Sequence, residues 1–229
     1  LNEETGEVNY DVGGRKIVRQ FLRQELNQEL IKGYLSLFDE FLLSHQGKSN
    51  KKVGKRKRTS VNSVKVLRIC TQINEELTQR QKIIVLIRIL EFIYANEAIT
   101  DQELEFVTTV AETFNIHKEE FDDCLDFVKA DATDIIDKEV CLVIDSSKET
   151  KLKNSKHIYS DTIVGFLRVI RIQSVNTYFV RYYGNHGLYL NGQIITQDRV
   201  QVLTQGSSLR SSRVQPIYYS DIIGKFLSD

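Results

Sequence analysis

Seven cationic side chains fall within the eleven residues from Lys48 to Arg58, and six of them, Lys51, Lys52, Lys55, Arg56, Lys57 and Arg58, crowd into the last eight. Such a run can neutralise phosphates, either on acidic lipid head groups or on nucleic acid. No aromatic residue is interleaved to stack on bases, so specific nucleic-acid recognition is not expected and an acidic membrane surface is the partner of a functional arm. The alternatives are a solvated loop and an intramolecular contact with the acidic stretch 91–139. Glu97, Asp101 and Glu103 place three carboxylates within seven residues, an oxygen set of the type that divalent cations such as calcium take. Asp101 and Glu103 also belong to Thr100-Asp101-Gln102-Glu103, a capping box, so their competing role is to close a helix start. His45, His117, His157 and His186 show neither HxxxH nor HExxH spacing, and Cys70, Cys124 and Cys141 form no CxxC pair. Serine elbows flanked by glycine and the phosphate loop GxxxxGK[ST] are also missing. Nucleophilic catalysis, cysteine-bound zinc and nucleotide hydrolysis are therefore not expected of these residues, and no cofactor is expected beyond a divalent metal at the acidic turn.

The elements that must hold these groups change character along the chain. The 229 residues carry 31 basic and 31 acidic side chains, but unevenly. Residues 1–90 hold 17 basic and 10 acidic, 91–139 hold 3 and 15, and 140–229 hold 11 and 6. Ile17, Val18, Phe21, Leu22, Leu26, Leu30, Tyr34, Leu37 and Phe38 recur at helical intervals, and 44–63 then loses all periodicity and reads as a flexible loop. Helical spacing resumes at Val64, Leu67, Cys70, Ile73 and Leu77. The stretch Ile83–Ile93 is apolar nearly all round, as in the middle of a bundle. Two more helices are predicted, one with Leu104, Val107, Ala111 and Phe114 inside, the other with Phe121, Cys124, Leu125 and Val128 inside and Asp122, Asp123 and Asp126 on its solvated face.

Near Asp134 the period switches. Val140–Ile144, Phe166–Ile172, Tyr178–Tyr183, Leu188–Leu190 and Val200–Leu203 are short and rich in β-branched and aromatic residues, which predicts strands. Asn191-Gly192 predicts a tight hairpin turn, because both of its central positions need positive φ. The expected architecture is an all-α helical bundle over 1–133 followed by an antiparallel β-sandwich over 134–229. The segment Ile158-Tyr159-Ser160-Asp161 to Phe166-Leu167 is echoed by Tyr218-Tyr219-Ser220-Asp221 to Phe226-Leu227, an echo that either limited composition or a repeated edge or connector element would produce. Cysteine usage and the lack of a secretory signal predict a cytoplasmic location, and the start at Leu1 together with the absence of methionine predicts a fragment of a longer polypeptide.

Ala95-Asn96-Glu97-Ala98-Ile99-Thr100-Asp101-Gln102-Glu103, with Val107, Ala111 and Phe114, resembles the tellurite-resistance TerB-like family over about residues 1–130. That resemblance implies an all-helical domain with acidic turns. Ile158-Tyr159-Ser160-Asp161, Val164-Gly165-Phe166-Leu167, His186-Gly187-Leu188-Tyr189-Leu190-Asn191-Gly192 and Gly206-Ser207-Ser208-Leu209-Arg210 run in the order of a forkhead-associated (FHA) domain. This second resemblance implies a β-sandwich whose ligand loops contain Gly165, His186 and Asn191. The family's phosphate-reading serine, arginine and histidine fall on Val164, Gly165 and Leu167, and its asparagine on His186, so phosphothreonine reading is expected to be lost. In tandem the two look like the amino-terminal regulatory region of a bacterial ABC transporter ATP-binding protein. That implies a non-enzymatic docking role, with a protein or the downstream ATPase and membrane parts of the same polypeptide as partner and membrane association through the full-length protein. The alternative is a TerB-like metal-responsive stress protein using the acidic turns.

Overall fold

The computed structural model describes residues 68, 70–71, 73–95, 99–196 and 199–228. The chain divides into two compact units, Leu1–Ile116 and His117–Asp229.

In the first unit, helix α1 (Gln79–Tyr94) and helix α2 (Asp101–Thr113) follow a helical stretch at 73–76. Both starts are fixed by reciprocal caps. Thr78 and Gln81 form one box, and Thr100 and Glu103 form the other, as its sequence requires. Lys82, Ile83, Ile84, Val85, Leu86 and Ile87 are buried in succession, so α1 is enclosed on all sides there. The start of α1 is anchored on the end of α2. Asn74 Nδ2 donates to the Thr113 carbonyl, and Gln79 Nε2 donates to the Phe114 carbonyl at 2.9 Å.

The second unit begins with helix α3 (Lys118–Lys129) and continues into strands β1 (Cys141–Asp145), β2 (Lys156–Tyr159), β3 (Phe166–Ile172), β4 (Thr177–Tyr183), β5 (Tyr189–Leu190), β6 (Gln193–Ile194), β7 (Gln201–Leu203), β8 (Ser208–Arg210) and β9 (Ile217–Tyr218). Helix α4 (Tyr219–Leu227) follows. Five strands form one sheet in the order β2-β1-β3-β4-β7, and four form another in the order β6-β5-β8-β9. One buried cluster takes Leu142, Leu167, Val169, Val180 and Tyr182 from the larger sheet, Leu190, Leu209 and Ile217 from the smaller, and Ile222 from α4.

The larger sheet is mixed, which corrects the all-antiparallel expectation: β1 and β2 run parallel, with Leu142 opposite Lys156 and Asp145 opposite Tyr159. The cause lies just before each strand. The Asp137 carboxylate accepts from the backbone amides of Lys153 at 3.0 Å and of Asn154 and Ser155 at 2.8 Å. Ser155 Oγ accepts from the Lys138 amide at 3.0 Å. The starts of β1 and β2 are therefore tied together, and two strands leaving a common origin side by side must point the same way.

These three amides hold the Asp137 carboxyl below the usual carboxylate range, the bond from Ser155 contributing most. A carboxylate lowered in the folded state stabilises above its unfolded pKa, about 3.9, and that contribution disappears as pH falls through the folded value. We expect Asp137→Asn to lower the melting temperature at pH 7. The gap between the variant and the parent should narrow as pH falls below the ordinary carboxylate pKa of about 3.9, and thermal melts from pH 7 downward check it.

The units part at Ile116/His117, earlier than the 133/134 boundary expected from the change of period. The reason is that α3 covers the second face of the larger sheet. Arg181 Nη1 donates to the Val128 carbonyl at 2.6 Å, Tyr183 Oη to the Ala130 carbonyl at 3.0 Å, and the Ser174 amide to Glu120 Oε1 at 2.9 Å. The connection after α3 is equally bound. Lys138 Nζ lies 2.7 Å from both Asp123 Oδ1 and Asp126 Oδ2, so these aspartates are ion-paired rather than solvated. Burial opposes the Lys138 ammonium, and the two carboxylates more than offset this and raise its pKa.

Candidate functional site

The loops that carry Gly165 and His186 meet at one end of β3 and β4. Gly165 has φ +83°, and a Cβ built there would lie 2.0 Å from the Tyr183 carbonyl oxygen. Tyr182 Oη donates to the Val164 carbonyl at 2.8 Å, across the two loops. Burial raises the Tyr182 pKa, while a hydrogen bond from the His186 backbone amide lowers it in part. The tyrosine thus bridges the loop ending at Gly165 and the loop containing His186. His186 Nδ1 is buried and has no hydrogen-bond partner among the described residues. The loop tips, 162–165 and 184–187, offer Thr, Ile, Val and Gly on one side and Gly, Asn, His and Gly on the other. None of these eight residues carries a guanidinium or ammonium to grip a dianion.

Asn191 has another task. Its φ is +52° and that of Gly192 +81°, the backbone that the hairpin signal demands. Its Oδ1 accepts from the Ser208 amide at 3.0 Å and its Nδ2 donates to Ser207 Oγ at 3.3 Å. The side chain therefore clamps the β5–β6 hairpin to the start of β8.

Glu97 and the cationic residues Lys51, Lys52, Lys55, Arg56, Lys57 and Arg58 lie outside the described residues. Asp101 is exposed on the first turn of α2, whereas Glu103 is buried and accepts from the Thr100 amide at 2.7 Å and the Thr100 hydroxyl at 2.9 Å. Its carboxylate is thus a helix cap. Among the described residues no three His, Cys, Asp or Glu side chains are grouped as a metal site would need. His117 occupies the position before α3 without a side-chain cap bond, and His157 Nε2 is 3.0 Å from Asp145 Oδ1.

All three cysteines are buried, and burial pushes their thiols up, to about 11 for Cys70 and about 12 for Cys141, with Cys124 also raised. None presents a thiolate near neutral pH. In the native chain at pH 8, Cys124 and Cys141 are expected to resist iodoacetamide and to react fully once denaturant is added. Peptide mass mapping reads the difference.

No family model matches this chain, and no curated protein or solved structure is significantly similar to it. Its surfaces must therefore be read directly. Val164, Tyr189, Ile194 and Tyr218 are large apolar groups exposed on the second unit, at 46%, 40%, 65% and 48%. Three of them lie on the smaller sheet, where Tyr189 faces Ile194 on one neighbouring strand and Arg210 on the other. Sequence reasoning missed this row. The available signal was the alternation Tyr189-Leu190 and Leu209-Arg210, in which one residue of each pair must turn outward if the other enters the core.

Proposed function

We propose that the chain is a non-enzymatic docking region, the regulatory part of an ABC-type transporter ATP-binding protein, with an FHA-like sandwich that has lost phosphothreonine reading. The observation that carries the docking role is the division of labour in the second unit. Its thiols are buried, Asp123 and Asp126 pair with Lys138, Asp145 pairs with His157 and Asp137 receives backbone amides, while a row of large apolar side chains stands exposed around one arginine. Exposed apolar groups beside a cation serve protein contact better than chemistry. The two-sheet core and the glycine-bound loop pair support the sandwich reading, and the uncharged loop tips support the loss of phosphate recognition. The link to transport rests on the tandem resemblance.

The test is to read the gene beyond Asp229, express the following segment and measure its binding to this chain by calorimetry. A phosphate loop in that segment and a dissociation constant near 1 µM, about −8 kcal/mol, are expected. An unrelated downstream sequence, or no heat of binding, overturns the proposal.

A further inference from the structure

The outer face of the smaller sheet has the chemistry of a peptide-binding surface. Tyr189 on β5 stands between Ile194 on β6 and Arg210 on β8 in direct register, so the three side chains line one face across three strands. Ser208, two residues before Arg210, lies opposite Tyr218 of β9. The Arg210 guanidinium bends back over it, with Nε at 3.3 Å and Nη2 at 2.8 Å from Ser208 Oγ. That hydroxyl is its one partner among the described residues, and no described carboxylate is within ion-pair range. Arg213, exposed in the turn that follows, also has no acidic partner among them.

We propose that this face binds an extended acidic peptide segment, an apolar side chain seating between Ile194 and Tyr189 and a carboxylate pairing with Arg210. The inference rests on the docking reading above and adds the class of partner. Charge complementarity selects the occupant: Arg210, without an acidic partner among the described residues and in register beside the exposed Tyr189, favours an acidic partner and repels a basic one, and Arg213 in the following turn adds a second positive charge. A carboxylate can take the guanidinium edge that Ser208 leaves open, in the two-pronged geometry that arginine favours. The spacing agrees. Strands lie about 4.8 Å apart, so the middle of the Ile194–Tyr189 pair is roughly 7 Å from Arg210, the distance between same-side residues of an extended peptide.

The probe is a fluorescein-labelled peptide of repeated Leu-Ser-Glu-Ser, which presents leucine and glutamate alternately on one side, titrated with the full chain by anisotropy. Its control carries lysine in place of glutamate. The acidic peptide should bind at least about tenfold more tightly than the control, weaken as salt is raised, and lose about tenfold in affinity with Arg210→Glu or with Tyr189→Ser/Ile194→Ser. These positions are exposed, and unchanged circular dichroism checks that each variant folds. Equal binding of the two peptides, unchanged binding by the variants, or no binding of the acidic peptide at about 1 mM overturns the inference. So does a concentration-dependent dimer abolished by Arg210→Glu, since a second copy would then own the face. If the downstream segment still binds the chain while these peptide results fail, the docking reading stands and this surface assignment falls. If neither binds, both fall.

Discussion

Gly165→Ala is expected to destabilise the second unit by about 4 kcal/mol, at the rare end of single substitutions. Two costs add at this position. A left-handed backbone costs a residue with a Cβ about 1–2 kcal/mol. The new methyl would also sit 2.0 Å from the Tyr183 carbonyl oxygen and 2.9 Å from Gly184 Cα, and both are backbone atoms that cannot rotate aside. Relief requires the end of β4 to move away from the loop, against the Tyr182–Val164 bond. Gly192 and Gly206 provide the internal comparison, because each has φ +81° with nothing within 4 Å of the position a Cβ would take. Alanine there should cost only the backbone part, about 1 kcal/mol. Urea titrations of the three variants read the result. Equal losses would show that φ alone matters and that the close approach at Gly165 is of no consequence.

Arg168→Met is expected to cost about 2–4 kcal/mol and to lower the melting temperature of the second unit by roughly 10 °C. The side chain is 3% exposed, near the middle of β3. Its Nη2 donates to the Asp134 carbonyl at 2.7 Å, and Nη1 to Tyr183 Oη at 2.9 Å and the Asp131 carbonyl at 3.4 Å. The guanidinium carbon lies 4.8 Å from the centre of the Tyr183 ring, which stacks on Phe166 at 4.7 Å. Methionine fills much of the volume and returns none of these bonds. The connection after α3 then loses its anchor to the sheet. Lysine should recover less than half of the loss, since a single ammonium cannot fork between two carbonyls while lying flat on a ring. Calorimetric melts decide it: a shift below about 3 °C for methionine would mean that the arginine is merely accommodated.

Asn191-Gly192, the capping box at Thr100 and the span of β3 were legible because each depends on residues close in sequence. What escaped was set by distant partners. Tyr159-Ser160-Asp161 and Tyr219-Ser220-Asp221 read alike, yet the first follows a strand and turns into Gly165 at φ +83°, while the second opens a helix. The identity of neighbours, a strand edge in one case and the end of a sheet in the other, decides between them. β2 was invisible because Lys156-His157-Ile158-Tyr159 has little apolar alternation, and its pairing comes from the Asp137 amide nest. The covering of the larger sheet by α3 did leave a trace. Phe166–Ile172 and Thr177–Tyr183 are buried almost without interruption, which a strand with one wet face would not be. The loops of Gly165 and His186 meet because they flank β3 and β4, which pair antiparallel from Phe166 and Tyr183 onward. The role of Asn191 was hidden, since a side-chain amide that clamps a hairpin and one that contacts a ligand look the same in sequence.

The ties from α3 to Arg181, Tyr183 and Ser174 carry a consequence for how such a chain can be inherited. A recombination event that exchanged the two halves at the change of period, after 133, would leave Ile170, Phe179 and Cys141 bare and hand the helix that shields them to a stranger. Crossovers near Ile116 keep shield and sheet in one genetic parcel. Shuffling of this architecture should therefore move α3 with the strands downstream of it.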